Sequence, residues 1–512
     1  MNISTPLYVP YGKSVAYASI ETPSSSVWSN FTNIIEQKLF EAYYDDETDW
    51  SDDLNWYTGE LPTANDVVCL NSNCQLDTDA QVLYAYTRTN FDVLTVGDGH
   101  TLTSTYGVGT KNVSQLVIEE GSQLISMGGN TNGTMHKHIT GYGTGNDGWF
   151  TIAAPICDGM SVNSLTTGEY DLYAYDEPTA IWMNQKDASN NFNTLNPAQG
   201  YLYASQSGRT ANFAGQLNAS NTEISVPVTY TSGELAGFNL VGNPYTNNIS
   251  ITDVKINGTA QTAFYRAEGG SSLVAYVAAD NEPIKPGDGF MVKATESGTL
   301  TFGGTHTRGE GRQDSYVRLV LSKDGQVADR AYLRMNEGQT LEKFGIANAH
   351  SQLYFKNNGE PFAVADNVTE DGVMPLYLEK ANGTYTIEAG LLNAECNYLH
   401  LIDNLTGSDI DLLETPSYTF NANPIDYAAR FKLVFNAQQN SSENDQDGFA
   451  FISNGNIIVN GTGILQVMDV MGRMVSSHSV SNHISIDGLT AGVYMLRLIN
   501  DDNMKIQKIV IK

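Results

Sequence analysis

Cations are scarce in this chain: 27 Lys and Arg stand against 57 Asp and Glu, a formal charge of −30 over 512 residues. Nucleic acids and anionic membrane surfaces both demand clustered cations, so the composition supports neither as a partner. No apolar run reaches 18 residues, which excludes a transmembrane helix. Cysteine is nearly absent, at four residues, and no CxxC or Cys/His zinc spacing occurs. Cys69 and Cys74 are close enough for a small-loop disulfide, and two buried thiols are the competing reading. Long Glu/Lys/Ala/Leu stretches of helical period are missing too, whereas Gly (47), Tyr (28), Asn, Ser and Thr abound. That profile is all-β, with polar, turn-rich surfaces.

The signatures of catalysis are also lacking. There is no GxSxG elbow and no HExxH. Gly12-Lys13-Ser14 ends like a P-loop, but Leu7 stands where the earlier Gly is required. Gly143 to Gly148 satisfies GxGxxG, yet a strand-like Trp-Phe-Thr-Ile follows instead of the helix start that would meet a pyrophosphate. His136 and His138 share one strand face, a workable ligand pair, but no third ligand can be named, and the remaining histidines sit singly. We assign no catalytic residue, no metal set and no cofactor. The one ion weighed is Ca²⁺, on Asp45, Asp46, Glu47, Asp49, Asp52 and Asp53; this run lacks the EF-hand Gly and terminal Glu, and a solvated acidic linker is the plainer reading.

The length suits about three to five domains. Residues 1–47 read as an N-terminal remnant or linker, with an amphipathic helix over 31–44 that places Ile34, Ile35, Leu39 and Tyr43 near one face. The N-terminus lacks the basic and apolar regions of a secretory signal. Residues 48–140 read as a β-solenoid-like module. Val68-x-Leu70-x-x-Asn73-x-x-Leu76 superposes on Leu94-x-Val96-x-x-Gly99-x-x-Leu102, and that on Leu116-x-Ile118-x-x-Gly121-x-x-Leu124. Repeats of this length with one strand and a turn Gly are what stacked coils require. A sandwich with evenly spaced hairpins is the alternative.

A second duplication has the constant offset 89: Gly148-Trp149 recurs as Gly237-Phe238, Pro197-x-x-Gly200-Tyr201 as Pro286-x-x-Gly289-Phe290, Phe213 as Phe302, and Tyr175 as Phe264. It defines two tandem β-units, 141–225 and 226–310, whose shared Gly-aromatic pairs set a turn and drop a ring into the core. Residues 311–437 alternate as an antiparallel sandwich of jelly-roll type. The polar stretch 438–448 is a linker. Flat rings stack on sugar faces, so Trp50, Trp56, Tyr57 and Trp182, with Tyr173, are candidates for glycan binding; capping of the first coil is the other role open to Trp50 and Trp56.

The last stretch, 449–512, carries Asp469, Gly472 and Arg473, then Gly488, Leu489, Gly492, Tyr494 and Arg497, and closes on Lys505, Lys508 and Lys512. In residue identity, order and spacing it resembles the type A C-terminal sorting domain of proteins exported by the type IX secretion system of Bacteroidota. The resemblance implies a small Ig-like sandwich recognised by the outer-membrane translocon. It also implies a sortase-like protease that removes the domain and attaches the cargo to the outer cell surface. Because such cargo first crosses the inner membrane, the missing signal suggests a fragment of a larger multi-domain protein. Two readings follow. One is a non-catalytic surface β-protein for adhesion or glycan binding. The other is the accessory C-terminal region of a secreted peptidase or polysaccharide hydrolase whose catalytic domain lies upstream.

Overall fold

The computed structural model describes residues 37–41, 48–143, 148–233, 235–303, 314–336, 338–344, 351–366, 372–437, 449–453, 456–469, 472–481, 483–500 and 503–511. Asp45, Asp46 and Glu47, the centre of the GxGxxG segment, the linker 438–448 and Lys512 lie outside them. The described residues form β-strands and short 3₁₀ turns, an all-β chain as the composition requires. The chain divides into two compact units, 1–310 and 311–512.

The first unit begins with strands stacked as three parallel ladders. Val67–Leu70, Tyr84–Thr87 and Val108–Gly109 form one. Cys74–Leu76, Leu94–Val96 and Leu116–Ile118 form the second. Ala80–Val82, Thr101–Ser104 and Gln123–Ser126 form the third. Alternation along each strand sends Leu76, Val96 and Ile118, and likewise Leu102 and Leu124, into one fully buried interior. Successive coils therefore bury what a single coil could not.

Two expectations are corrected here. The offset of 22 between the second and third repeats is the true register, since Leu94 faces Leu116 and Val96 faces Ile118. The first repeat is misplaced: Cys74, not Val68, lies under Leu94, and Val68 pairs with Ala85 on a different ladder. The turn between Leu70 and Cys74 is tight enough that both strands carry similar apolar alternation, so identity matching chose the wrong side of it. The second correction concerns 31–44. Its described part, Gln37–Phe40, is a strand paired in parallel with Val67–Leu70. The open edge of the first ladder supplies hydrogen bonds that a lone helix could not match. Phe40 there packs edge-on against Trp56 at 5.0 Å, and Trp56 against Trp50 at 4.9 Å. The Trp56 indole N–H donates to the Trp50 carbonyl at 2.8 Å, so the rings close the end of the coil interior. Cys69 and Cys74 are separate buried thiols, and burial pushes both upward from the ordinary thiol range.

The duplicated units meet reciprocally. Ile152 pairs with Tyr201 in the first and Val241 with Phe290 in the second, each shifted by 89. Between units, Ile152 bridges to Asp288 and Gln199 to Val241. The Ala153 N–H donates to Gly287 O at 2.9 Å, and the equivalent Gly242 N–H to Ala198 O at 2.9 Å. These bridges and hydrogen bonds have images in both directions, the pattern of an isologous, pseudo-two-fold interface. The close approach explains two glycines: a Cβ on Gly200 would meet Val241 O at 2.4 Å, and one on Gly289 would meet Ile152 O at 2.7 Å. The aromatic partners Tyr201 and Phe290 are buried.

One exchange breaks the symmetry. Asp288 takes the place of Gln199, and its fully buried carboxylate accepts from Lys137 Nζ at 2.6 Å and from Arg266 at 3.3 Å. Lys137 sits on Thr131–Ile139, the strand that ends the coils. Burial alone would lower its ammonium's pKa, but the Asp288 charge and hydrogen bond outweigh that and raise it.

In the second unit the strands from Tyr316 to Ala437 form one continuous ladder of eleven strands among the described residues. It is antiparallel except where Gln326–Arg334 runs parallel to Glu360–Asp366. This ladder lies over one core that contains Val317, Ile387, Leu401, Phe420 and Leu433. The C-terminal 449–511 form two further sheets, of three and four strands, around Ile457, Val459, Leu465, Val467 and Leu496.

Two substitutions test these contacts by denaturant unfolding. Asp288→Ala leaves Lys137 and Arg266 buried without their shared partner and is expected to cost about 3–5 kcal/mol. Trp56→Ala opens the coil end and is expected to cost about 3–5 kcal/mol. A loss below about 1 kcal/mol in either would contradict the corresponding packing.

Candidate functional site

The sequence candidates for sugar stacking separate on burial. Trp50 and Trp56 are 1% and 2% exposed, so neither offers a ring face to a ligand, and both are withdrawn as stacking residues. Their apolar rings serve the coil interior. Tyr57 is half exposed but lies in the turn beside them.

Trp182 belongs to a larger arrangement. The strands Tyr170–Asp176 and Ile181–Asn184 form a hairpin in which Tyr175 faces Trp182 and Tyr173 faces Asn184. Period-two alternation puts Asp171, Tyr173 and Tyr175 on one side. Trp182 lies 5.0 Å from Tyr175, and Trp149 lies edge-on to Tyr173 at 5.9 Å. Polar groups accompany the rings: Asn184 Nδ2 donates to the Tyr173 hydroxyl at 3.4 Å, and Lys186 pairs with Asp171 at 3.2 Å. Trp149, Tyr173 and Trp182 are half-buried. Burial pushes the Tyr175 phenol up to about 12, helped by the charges of Glu177 and Asp176, so it stays neutral. Behind the hairpin, the Glu177 carboxylate accepts the backbone N–H groups of Thr231 and Gly237 at 2.6 and 2.7 Å, fixing the strip to the second unit of the duplication.

The tail residues form turns, a core anchor and an edge. Asp469 ends the strand Gly463–Asp469, accepts from the Arg473 N–H at 3.0 Å and from its guanidinium at 2.8 Å, while its carbonyl accepts from the Gly472 N–H. Gly472 has φ +77°, a left-handed conformation that suits glycine in this hairpin turn. Gly488 has φ +73° in the next turn, and Leu489 packs on the core. Tyr494 is buried and its hydroxyl donates back to Thr490 O at 2.9 Å, pinning the turn ahead of Gly492–Asn500. Arg497 faces Ile506 across that strand pair. Lys505 and Lys508 are exposed on Asn503–Ile511, the edge strand of its sheet, where charge discourages pairing with other chains.

His136 and His138 share a face as expected, but each has its own polar neighbour: Glu119 at 2.9 Å and Thr210 at 3.0 Å. The group able to hold a metal, among the described residues, lies elsewhere: His400, Asp411 and His483. Sequence reading missed it because its members belong to three strands of two sheet systems, and no local spacing links them.

Residues 44–260 match a domain of unknown function, DUF8693. Residues 449–512 match the family of secretion system C-terminal sorting domains. No curated protein matches. Among solved structures, the BSP domain of a biofilm associated protein aligns at 12% identity and TM-score 0.13, over 74% of this chain and 63% of that one. The chain thus spans less than two thirds of that structure's length. The family match coincides with the turn residues, the tyrosine anchor and the lysine edge just described. Residues 449–512 are a C-terminal sorting domain of the type IX secretion system, and the chain is a secreted cargo of that route, bound for the cell surface.

Proposed function

We propose that the cargo portion is a non-catalytic β-protein that binds glycans at the cell surface. The observation that carries this reading is the strip of Tyr173, Tyr175 and Trp182 on one hairpin face, with Trp149 of the neighbouring strand Trp149–Ile152 against Tyr173. Half-open rings offer flat apolar surface to a sugar ring, while Asn184 and the Lys186–Asp171 pair beside them supply hydrogen-bonding groups for its hydroxyls. Rings held by cross-strand partners lose little freedom on binding, which favours affinity. The sorting domain serves export through contact with the type IX machinery. Removal by a sortase-like protease in 438–448, with attachment of the cargo to the surface, completes the proposal.

A glycan array probed with the full chain tests the binding. Retention on a subset of glycans is expected, weakened by at least about tenfold in Trp182→Ala and in Tyr173→Ala, consistent with loss of a central aromatic contact. No retained glycan, or equal binding by both variants, would contradict the proposal.

A further inference from the structure

The strand Cys396–Asp403 has an unusual second face. Leu399 and Leu401 point into the core of the eleven-strand ladder. Tyr398, His400 and Ile402 therefore point the other way, and the sorting domain covers them: Ile458 packs with Tyr398 and Val434, flanked by Val373 and Ile402. Into this apolar contact the two sides bring three polar groups. His400 and Asp411 are direct cross-strand neighbours on the ladder. His483 opens the strand His483–Ile486 of the sorting domain. One ligand atom from each lies within 4.8 Å of the other two.

The hydrogen bonding around His400 leaves a site with no occupant of its own. Its Nδ1 lies 2.7 Å from Asp409 Oδ1, and a carboxylate there can only accept, so Nδ1 carries the proton. With the proton on Nδ1, the neutral form of the ring presents its lone pair at Nε2. That atom is buried, on a side chain 5% exposed, and has no hydrogen-bond partner. What it faces is Asp411 Oδ2 at 3.7 Å, too far for a hydrogen bond and itself a lone-pair donor. A buried lone pair aimed at the oxygen of a part-buried carboxylate is costly unless a cation lies between them. The ring of Tyr398 stacks on His400 at 4.1 Å and 10°, and His483 stands edge-on at 5.1 Å, so the imidazole cannot easily turn away.

We propose that His400 Nε2, Asp411 and His483 bind a divalent ion of the zinc class that clamps the sorting domain to the preceding eleven-strand ladder. Two imidazoles and one carboxylate are a borderline donor set, suited to Zn²⁺ and poor for Ca²⁺ or Mg²⁺, which take oxygen. Ligands at zinc distances on a tetrahedron are about 3.4 Å apart, close to the His400–Asp411 separation. The half-buried His483 closes the remaining gap, and water fills the fourth position. Asp409 completes a carboxylate–histidine–metal relay that fixes the tautomer and raises ligand basicity. Because the ligands flank 438–448 in sequence, the ion ties both ends of the linker together, and its binding adds to the stability of the joined unit.

The test uses the full chain, stripped with a chelator and titrated with zinc chloride against a chromophoric competitor, with thermal melts alongside. One equivalent of zinc is expected at micromolar affinity or tighter, with an upward shift of a melting transition. His483→Ala and Asp411→Asn should lose that shift while melting like the unsubstituted chain without zinc. Asp409→Asn, which removes no ligand, should weaken binding by about 10–100-fold. A double His136→Ala, His138→Ala variant should bind as before. No bound zinc, as expected were His400 an imidazolium paired with the two aspartates, would overturn the inference. So would zinc retained by the His483 and Asp411 variants, or lost from the double variant.

Discussion

A β-strand sends alternate side chains to opposite sides, so burying one face always leaves another to be covered, wetted or used. The described residues hold only short 3₁₀ turns besides strands, and each part answers the constraint with more strand. The coils close three ladders around one interior that holds Leu76, Val96 and Ile118. The duplicated units cover one another through the reciprocal Ile152–Asp288 and Gln199–Val241 bridges. The eleven-strand ladder folds over itself, and the outer side of Cys396–Asp403 is covered by the sorting domain through Tyr398, Val434 and Ile458.

The constraint also places the chemistry. Faces that are neither fully buried nor fully solvated collect rings and polar groups together. The hairpin of Tyr170–Asp176 and Ile181–Asn184 is one such face, with Trp182 and Asn184 side by side. The outer face of Cys396–Asp403 is another, and there Asp411 and His483 converge on His400.

What could be read from the sequence was local or periodic. The tail declared itself because its turns need particular residues: glycine at 472 and 488, where φ is positive, and Asp469 to hold Arg473. The offset of 89 was legible because equivalent positions in both units do the same work, as Gly200 and Gly289 show by each approaching the other unit's backbone. Pattern failed where a contact distant in sequence decided the outcome. Residues 31–44 show helical periodicity, yet Gln37–Phe40 within them is a strand because Val67–Leu70 offers an edge. Trp50 and Trp56 stay open between sugar stacking and capping of the first coil until the contacts of Phe40 with Trp56 and of Trp56 with Trp50 decide for the cap. His400 and His483 look solitary because the fold, not the chain, makes them neighbours.

The sorting domain and the cargo portion divide the work between address and activity, and the address is the central claim. Protease shaving of intact cells tests it most directly, comparing the full chain with the same protein ending at residue 437. The account predicts that the full chain reaches the surface and is cut there, while the shortened one stays inside the outer membrane and is protected. Equal surface exposure of both would contradict it.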